Sequence, residues 1–562
     1  MPFPQEYKAS DWWVEGDTPV HHYTTRVAYF IDGRFTMLSL CRHFLGARKY
    51  IYLAGWGMTP SLELVRGKDR LAGPDGSPEQ ANLLEELRAE GLQEADINFW
   101  LTHKLTLQEV LAYAVSKGVE VKVLLWHCLP IPAVTYYHPE GVRDQLVPLG
   151  ITCVLDDSSR GILHHPMESL HQKLAIVDGT HAYVGGVDLM TALDADYDRW
   201  DTPSHPLDIS VRSTRDDGLS HSWHDAHTLI QGSAVEDVEL NFRQRWNDVI
   251  DRHHWKHIFP ISEHPPTPPV ESSSIVQIAR TIPENTYRFD PDPGLQDIAQ
   301  IYAKAIHNAQ KFIYLENQYF WLHSYLGLDI PVLSIDSPEM EQNVRELGDA
   351  LKRGAAVAIV LPDHPDPGRA FTDEALQRLR SESPEALADG RLQVFCLGTS
   401  GHKDDTIRYL SIYVHAKVAI VDDVWATAGS ANLNNRGMRD DTEMNVATLD
   451  PELATNLRLM LWAEHLGLVH DDDLLKFARY TGHQFQRPAD HQRAREIWHF
   501  LHEKLGDPLL GLQMLHAQAW DNLNRFKARQ PLIGHILPYL LEEEARQHDI
   551  PFHEEGGWLD KM

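Results

Sequence analysis

Two short segments share one spacing of reactive side chains: His171-Gln-Lys-Leu-Ala-Ile-Val-Asp178 and His415-Ala-Lys-Val-Ala-Ile-Val-Asp422. Both read H-x-K-x4-D, and six residues further on come Gly185-Gly186 and Gly429-Ser430. The β-branched apolar run predicts a strand, on which side chains alternate faces. His171 and Lys173 then share one face, as do His415 and Lys417. Asp178 and Asp422 have the opposite parity, which suits a structural role near the strand end. The small residues at 185, 186, 429 and 430 allow backbone or a hydroxyl to approach a ligand closely. A single H-x-K carries no information in a chain with 33 histidines. Two such blocks gathered into one site would offer two imidazoles and two ammonium groups, a set suited to a phosphoryl group. One neutral imidazole attacks phosphorus, and the other, protonated, donates to the leaving oxygen. The lysines supply the charge, so the chemistry needs no metal.

The elements that must position these groups are themselves duplicated. Lys49-Tyr-Ile-Tyr-Leu53 is matched by Lys311-Phe-Ile-Tyr-Leu315, each after a helix-like stretch, Leu38–Ala47 or Leu295–Ala309. Lys117-Gly-Val-Glu-Val-Lys-Val-Leu-Leu125 is matched by Arg353-Gly-Ala-Ala-Val-Ala-Ile-Val-Leu361. Both read as a helix, a glycine C-cap and a buried strand. The offsets, Lys49 to Lys311, Gly118 to Gly354 and His171 to His415, are 262, 236 and 244 residues. Near-equal offsets in one order imply two α/β/α sandwich halves related by a pseudo-twofold axis, with a helical C-terminal extension. The reading divides the chain into residues 1–260, 275–470 and 471–562. The proline-rich Pro260–Ser274 separates the halves, since it can form neither regular helix nor central strand. Residues 58–107 read as a polar, acidic excursion, solvated or acting as a lid or partner surface. The tail, helical over Arg493–Lys504 and Gly511–Phe526, reads as a packing or capping subdomain.

The chain has 562 residues, 43% hydrophobic and 23% charged, with a formal charge of −30. Disorder, collagen and a disulfide-stapled fold are excluded. The acidic balance argues against nucleic acid as a partner, because phosphate backbones require a basic face. Cys41, Cys128, Cys153 and Cys396 have no metal-ligand spacing and read as buried thiols. No secretory leader and no run of about 18 apolar residues is visible. The expectation is cytoplasmic synthesis and peripheral membrane association, with signal-independent export open.

The paired motifs resemble the phospholipase D superfamily, whose signature is a duplicated HKD motif. Further segments are similar to its large plant and eukaryotic branch: Arg199-Trp-Asp-Thr202 with His205, Trp223-His-Asp-Ala-His227, Asn241-Phe-Arg-Gln-Arg-Trp246 and Ile313-Tyr-Leu-Glu-Asn-Gln-Tyr-Phe320. Gly429-Ser-Ala-Asn-Leu-Asn-Asn-Arg436, Trp520–Phe526 and Gly534–Leu537 extend the likeness, which runs from about residue 20 to 540. The resemblance implies His171 as nucleophile and His415 as general acid, then base. It implies Lys173 and Lys417 as phosphate ligands, helped by Asn432 and Ser430. It also implies a carboxylate behind each histidine: Asp225 for His171 and Glu443 for His415, with Asp440 and Asp441 competing for the latter role. Asp188 stands where pseudo-symmetry with Asn432 would place Asn, as in the plant-type branch.

The family implies cleavage of the distal phosphodiester of glycerophospholipids through a phosphohistidine, giving phosphatidic acid and a head-group alcohol, with transphosphatidylation. The alternatives are a superfamily nuclease or phosphodiesterase, and a phosphatidyltransferase resembling cardiolipin synthase. The duplicated unit starts too early for the lipid-binding C2, PX or PH domains of the branch. No cofactor is therefore expected, and calcium dependence is not. The expected partner is a membrane surface, with zwitterionic lipids favoured by the negative charge. Toxins exist in this superfamily, so an immunity partner is expected if the chain is exported. Trp56, Tyr319, Phe320 and Trp321 are candidates for lipid contact, although strand-end aromatics are more often core. His164-His165 could line the rim of the site.

Overall fold

A computed structural model describes residues 9–128, 138–160, 168–191, 198–207, 222–289, 294–325, 334–364, 368–403, 406–553 and 557–559. His164 and His165 lie outside the described residues. The first sheet has seven strands: β2 (Thr25–Ile31), β3 (Tyr50–Gly55), β4 (Glu120–Trp126), β5 (Thr152–Asp156), β6 (Leu174–Val177), β7 (His181–Gly185) and β9 (Ala226–Gly232). Their order across the sheet is β2-β9-β7-β6-β3-β4-β5. The second sheet contains β10 (Ile275–Pro283), β12 (Phe312–Asn317), β15 (Ala356–Val360), β16 (Leu392–Lys403), β18 (Lys417–Val421), β19 (Trp425–Gly429) and β20 (Glu443–Leu449). Its central order, β10-β20-β19-β18-β12-β15-β16, repeats the first strand for strand. The duplication expected from the sequence is therefore a duplication of topology. A β13–β14 hairpin (His323–Tyr325, Ser334–Asp336) stands apart.

The second sheet is enlarged at its edges by strands from elsewhere. β1 (Val20–His22) and β11 (Gly294–Gln296) join β10, and β17 (Thr406–Val414) joins β16. β8 (Ser222–His224), from the first half, runs parallel to β17. β21 (Ile536–Pro538), from the C-terminal extension, pairs with β16. The sheets meet through the equivalent strands β7, β9, β19 and β20.

Each β6–β7 or β18–β19 connection is a tight turn, with Asp178 and Asp422 both at φ 55°. The Asp178 carboxylate accepts the backbone N–H groups of Arg48, Lys49 and Tyr50 at 2.7–3.0 Å. Asp422 accepts those of Gln310, Lys311 and Phe312 at 2.7–2.8 Å. These aspartates pin the start of the adjacent central strand, the structural role their parity suggested. Gly118 and Gly354 cap the preceding helices at φ 87° and 102°, where a side chain would be strained.

Helices cover both sheets, among them Asp32–Gly46, Val235–His253 and Asp297–Asn308. The segment 254–274 contains no regular element, consistent with its prolines. Residues 58–107 differ from the solvated excursion expected. Their helices Pro78–Ala89 and Glu94–Thr102 bury Leu83, Leu87, Ile97 and Trp100, while Glu86 and Glu90 pair with Arg42 and Arg479. Glu86 and Glu90 there neutralise buried arginines, while Glu79, Glu85 and Glu94 face water. The tail forms the helices Asp471–Thr481, Pro488–Leu505 and Pro508–Lys527. The four cysteines are free and buried. Among the described residues, no helix is long and apolar enough to cross a membrane.

Candidate active site

His171 and His415 lie immediately before β6 and β18, at the C-terminal ends of the central strands β3 and β12. Each is held by the opposite half. The His171 N–H donates to the Thr442 carbonyl at 2.9 Å, and the next residue, Glu443, places Oε1 2.8 Å from His171 Nδ1. The His415 N–H donates to the His224 carbonyl at 2.7 Å, and the next residue, Asp225, places Oδ2 2.7 Å from His415 Nδ1. The carboxylate partners are thus exchanged relative to the sequence expectation. The reason is the register. Leu170 bridges Thr442 and Val414 pairs with His224, both in parallel alignment, so each histidine meets the residue after its backbone partner in the other half. Asp440 and Asp441 serve elsewhere: Asp440 accepts from Asn435, while Asp441 accepts from Ser169 and Arg436.

The glycines also act differently from expectation. A Cβ at Gly186 would lie 2.0 Å from Asp225 Oδ1, and one at Gly185 2.5 Å from the His227 Cα. One at Gly429 would lie 2.2 Å from Asn445 Oδ1. These positions admit the strand that carries the carboxylate. Their amides are committed to it as well: the Gly186 N–H donates to Ala226 at 2.9 Å and the Ser430 N–H to Met444 at 3.0 Å. The Ser430 hydroxyl donates to Glu443 Oε2, so Ser430 steadies Glu443.

The remaining donors converge from side chains. Lys173 Nζ donates to the His171 carbonyl at 2.8 Å and lies 3.5 Å from Asp188 Oδ2. Lys417 Nζ donates to the His415 carbonyl and, at 3.1 Å, to Gln318 Oε1. Asn432 Nδ2 donates to the same Gln318 oxygen at 3.3 Å. Among the described residues, buried Asn432 Oδ1 and Asp188 Oδ1 have no hydrogen-bond partner. Burial, then the lysine charges, holds both imidazoles well below the ordinary histidine range. Burial raises the Asp225 and Glu443 carboxyls and pushes Lys417 down to about 7. Each histidine thus shares one proton with its carboxylate through Nδ1, leaving the Nε2 lone pair free to attack.

Several residues of the motif segments support the site without themselves carrying reactive groups. Gln318 bridges Lys417 and Asn432 and donates to Tyr413 at 2.8 Å. Asn317 Oδ1 accepts the Leu433 N–H at 3.0 Å and so fixes the loop carrying Asn432. Gln172, between His171 and Lys173, accepts from Asn241 at 2.7 Å and Arg245 at 2.8 Å, which ties the motif to Val235–His253. The Trp223 ring packs 4.5 Å from His415. Of the aromatics proposed for lipid contact, Phe320 and Trp321 are buried, while Trp56 and Tyr319 are half-buried.

A second buried cluster stands directly behind Asp225. The Asp225 N–H donates to Asp32 Oδ1 at 3.1 Å, and the Asp32 N–H donates to the Asp225 carbonyl at 2.8 Å. Asp32, His205, His224 and Glu464 each offer one ligand atom, all within 4.8 Å of one another. The other ring nitrogens of His205 and His224 face Asp201 at 3.2 Å and Glu316 at 2.8 Å. The group has the composition of a cation site, but its facing atoms are hydrogen-bonded to one another, His205 Nε2 to Glu464 at 2.9 Å and His224 Nδ1 to Asp32 at 3.1 Å. Against burial, the carboxylates raise both imidazoles, so the cluster closes on itself as an ion-pair network. Of these four residues, His205 and His224 stand in the motif segments, and Asp32 and Glu464 lie outside them.

Residues 302–463 match the family model described as "Cardiolipin synthase, PLD-like domain", and residues 96–336 match that described as "Phospholipase D". The chain is 25% identical to phospholipase D alpha 1 of Oryza sativa subsp. japonica, over 88% of this chain and 68% of the relative. It is 27% identical to phospholipase D beta 2 of Arabidopsis thaliana, over 76% of this chain and 56% of the relative. It therefore spans between about half and two thirds of the length of these plant relatives. The solved structure titled as a phosphatidylserine synthase of Haemophilus influenzae Rd KW20 aligns with a TM-score of 0.45 and 12% identity, over 85% of this chain and 94% of that one.

Proposed function

We propose, from the premise that this chain belongs to the phospholipase D superfamily, that it is a phospholipase D acting peripherally on glycerophospholipid membranes. The observation that carries this reading is the pair of histidine–carboxylate dyads, each completed across the pseudo-twofold, with a lysine beside each. His171 Nε2 attacks phosphorus while Lys173, Lys417 and Asn432 hold the non-bridging oxygens. The anionic phosphodiester offsets the lysine charge that depresses His415, so this imidazole takes up a proton. It delivers that proton from Nε2 to the departing head-group oxygen, and the P–O bond breaks as the P–N bond forms. His415, now neutral, removes a proton from water. The hydroxide attacks phosphorus, the N–P electron pair returns to His171, and phosphatidic acid leaves. An alcohol in place of water gives transphosphatidylation by the same step.

The lysines provide the positive charge, so no cation is required among the reacting atoms. The ion-pair network of Asp32, His205, His224 and Glu464 acts by fixing the strand that bears Asp225. The match of residues 302–463 to a cardiolipin synthase model favours one second reading, in which a lipid hydroxyl opens the phosphohistidine. A phospholipid panel incubated with ethanol separates the cases. The proposal expects phosphatidic acid, free head group and phosphatidylethanol from phosphatidylcholine or phosphatidylethanolamine. Exclusive lipid-to-lipid transfer supports the second reading. Faster cleavage of DNA than of any lipid overturns both.

A further inference from the structure

Phe259 is the most exposed large apolar side chain among the described residues, at 73%, and Trp255, four residues earlier, is 36% exposed. Both lie on the turn that follows the helix Val235–His253. This helix ends on the active-site side of the first sheet. Arg252 and His253 contact Asp157, just beyond β5, at 3.3 and 3.0 Å. β5 is parallel to β4 and β3, and the C-terminal end of β3 meets the chain directly after His171. The turn therefore begins on the rim that the catalytic histidines share.

The aromatic side chains are presented by a built loop. Trp246 Nε1 donates to the Phe259 carbonyl at 3.1 Å. The Asn247 side chain both accepts from and donates to the backbone of Ile261, at 2.7 and 2.9 Å, and Ile261 is itself buried. Trp255 stacks on His253 with ring centroids 4.5 Å apart and planes at 4°. Two large apolar groups are thus held facing water by a fixed backbone, a feature that marks an interaction surface.

The local charge narrows the partner. In a chain of net charge −30, residues 253–262 contain Lys256, three histidines and no Asp or Glu. The side chains of Lys256, His254 and His257 are exposed. Exposed Asp251 and Glu263 flank this stretch and balance Arg252 and Lys256, so the turn is close to neutral within an acidic chain and suits a bilayer surface without net charge. Trp beside Lys is also the composition that settles at the headgroup level of a membrane.

We infer that the Trp255–Phe259 turn is the point at which the protein docks on a zwitterionic phospholipid bilayer, with the two aromatic side chains inserted among the headgroups. The inference rests on the lipid-substrate reading, and its test measures binding without turnover. Full-length protein carrying His171→Ala is co-sedimented with phosphatidylcholine vesicles, with and without Trp255→Ala and Phe259→Ala. The expected result is a fall in vesicle partition of at least about tenfold. Leu509→Ala with Leu510→Ala, on the exposed start of the helix Pro508–Lys527, should leave partition unchanged. With His171 intact, the Trp255/Phe259 double variant should lose turnover of vesicles and keep turnover of a soluble short-chain phosphodiester. Equal partition of parent and double variant overturns the inference, as does a parent that does not bind vesicles. A parent dimer in solution that the double variant dissolves also overturns it, in favour of a second copy. A wild-type protein that cleaves no lipid, yet loses vesicle binding on these substitutions, contradicts the catalytic reading and leaves the docking surface standing.

Discussion

At the scale of single residues, the exchanged dyads make an asymmetric prediction. Asp225 is bonded to His415, the residue that protonates the leaving oxygen in the proposed mechanism, so Asp225→Asn should fail where the leaving group is poor. Turnover of phosphatidylcholine should drop about a thousandfold or more, by analogy with the loss of a histidine-orienting aspartate. Turnover of a p-nitrophenyl phosphodiester, which needs little protonation, should drop far less. Glu443→Gln acts on the nucleophile and should damage both substrates alike. Initial rates on the two substrates test this, and the opposite pattern would restore the pairing expected from sequence order. The pH dependence follows from the same burial. In the free enzyme the ammonium of Lys417, held at about 7, is lost above that pH, so kcat/KM should fall from near pH 7 upward. The acid limb should lie below the ordinary histidine range, because both imidazoles are protonated only there. Bound phosphate favours the ammonium, so the alkaline limb of kcat should lie higher than that of kcat/KM. A kcat/KM that stays flat into alkaline pH contradicts this assignment.

At the scale of elements, the strands that carry chemistry depend on small residues where two backbones cross. Gly186→Ala would drive a methyl group into the Asp225 carboxylate at 2.0 Å. We expect a loss of about 3 kcal/mol or more, read as a fall in thermal midpoint, together with loss of turnover. Gly141→Ala, an exposed position in the helix Pro139–Leu146 with no neighbour closer than 4.0 Å, should be neutral or slightly stabilising. How much was legible in the sequence depends on distance along the chain. The helix, cap and strand of each repeat are local patterns, and H-x-K fixes which side chains share a face. Parity set Asp178 and Asp422 off the face of the histidines; that their carboxylates hold the start of the neighbouring strand is visible only in the fold. The pairing of His171 with Glu443 spans 272 residues and is set by a parallel bridge between the halves, which no local pattern encodes. Gln318 stands inside the segment Ile313–Phe320, but its contacts with Lys417 and Asn432 arise only once β12 and β18 are neighbours. The pairing of Glu86 and Glu90 was hidden for a similar reason: they neutralise Arg42 on one side and Arg479 on the other, far away in sequence.

At the scale of the whole molecule, the halves are not separable machines. Each supplies the backbone acceptor and the carboxylate for the histidine of the other, and β8 crosses from the first half into the second sheet. A fragment comprising either half alone should therefore show no turnover, which a soluble phosphodiester assay of each fragment checks. The net charge of −30 first argues against phosphate ligands. The buried Lys173 and Lys417 narrow that argument, for they charge one pocket inside an acidic shell. Replacement of either lysine by Met should abolish turnover without rescue by any added divalent cation. Rescue would move the positive charge of the reaction onto a metal. The central claim, that His171 forms the covalent bond while His415 handles protons, is tested most directly by trapping. Protein carrying His415→Asn, mixed with a p-nitrophenyl phosphodiester and quenched, should accumulate a covalent adduct that peptide mass spectrometry maps to His171. An adduct elsewhere, or full turnover by this variant with no adduct, would contradict the account.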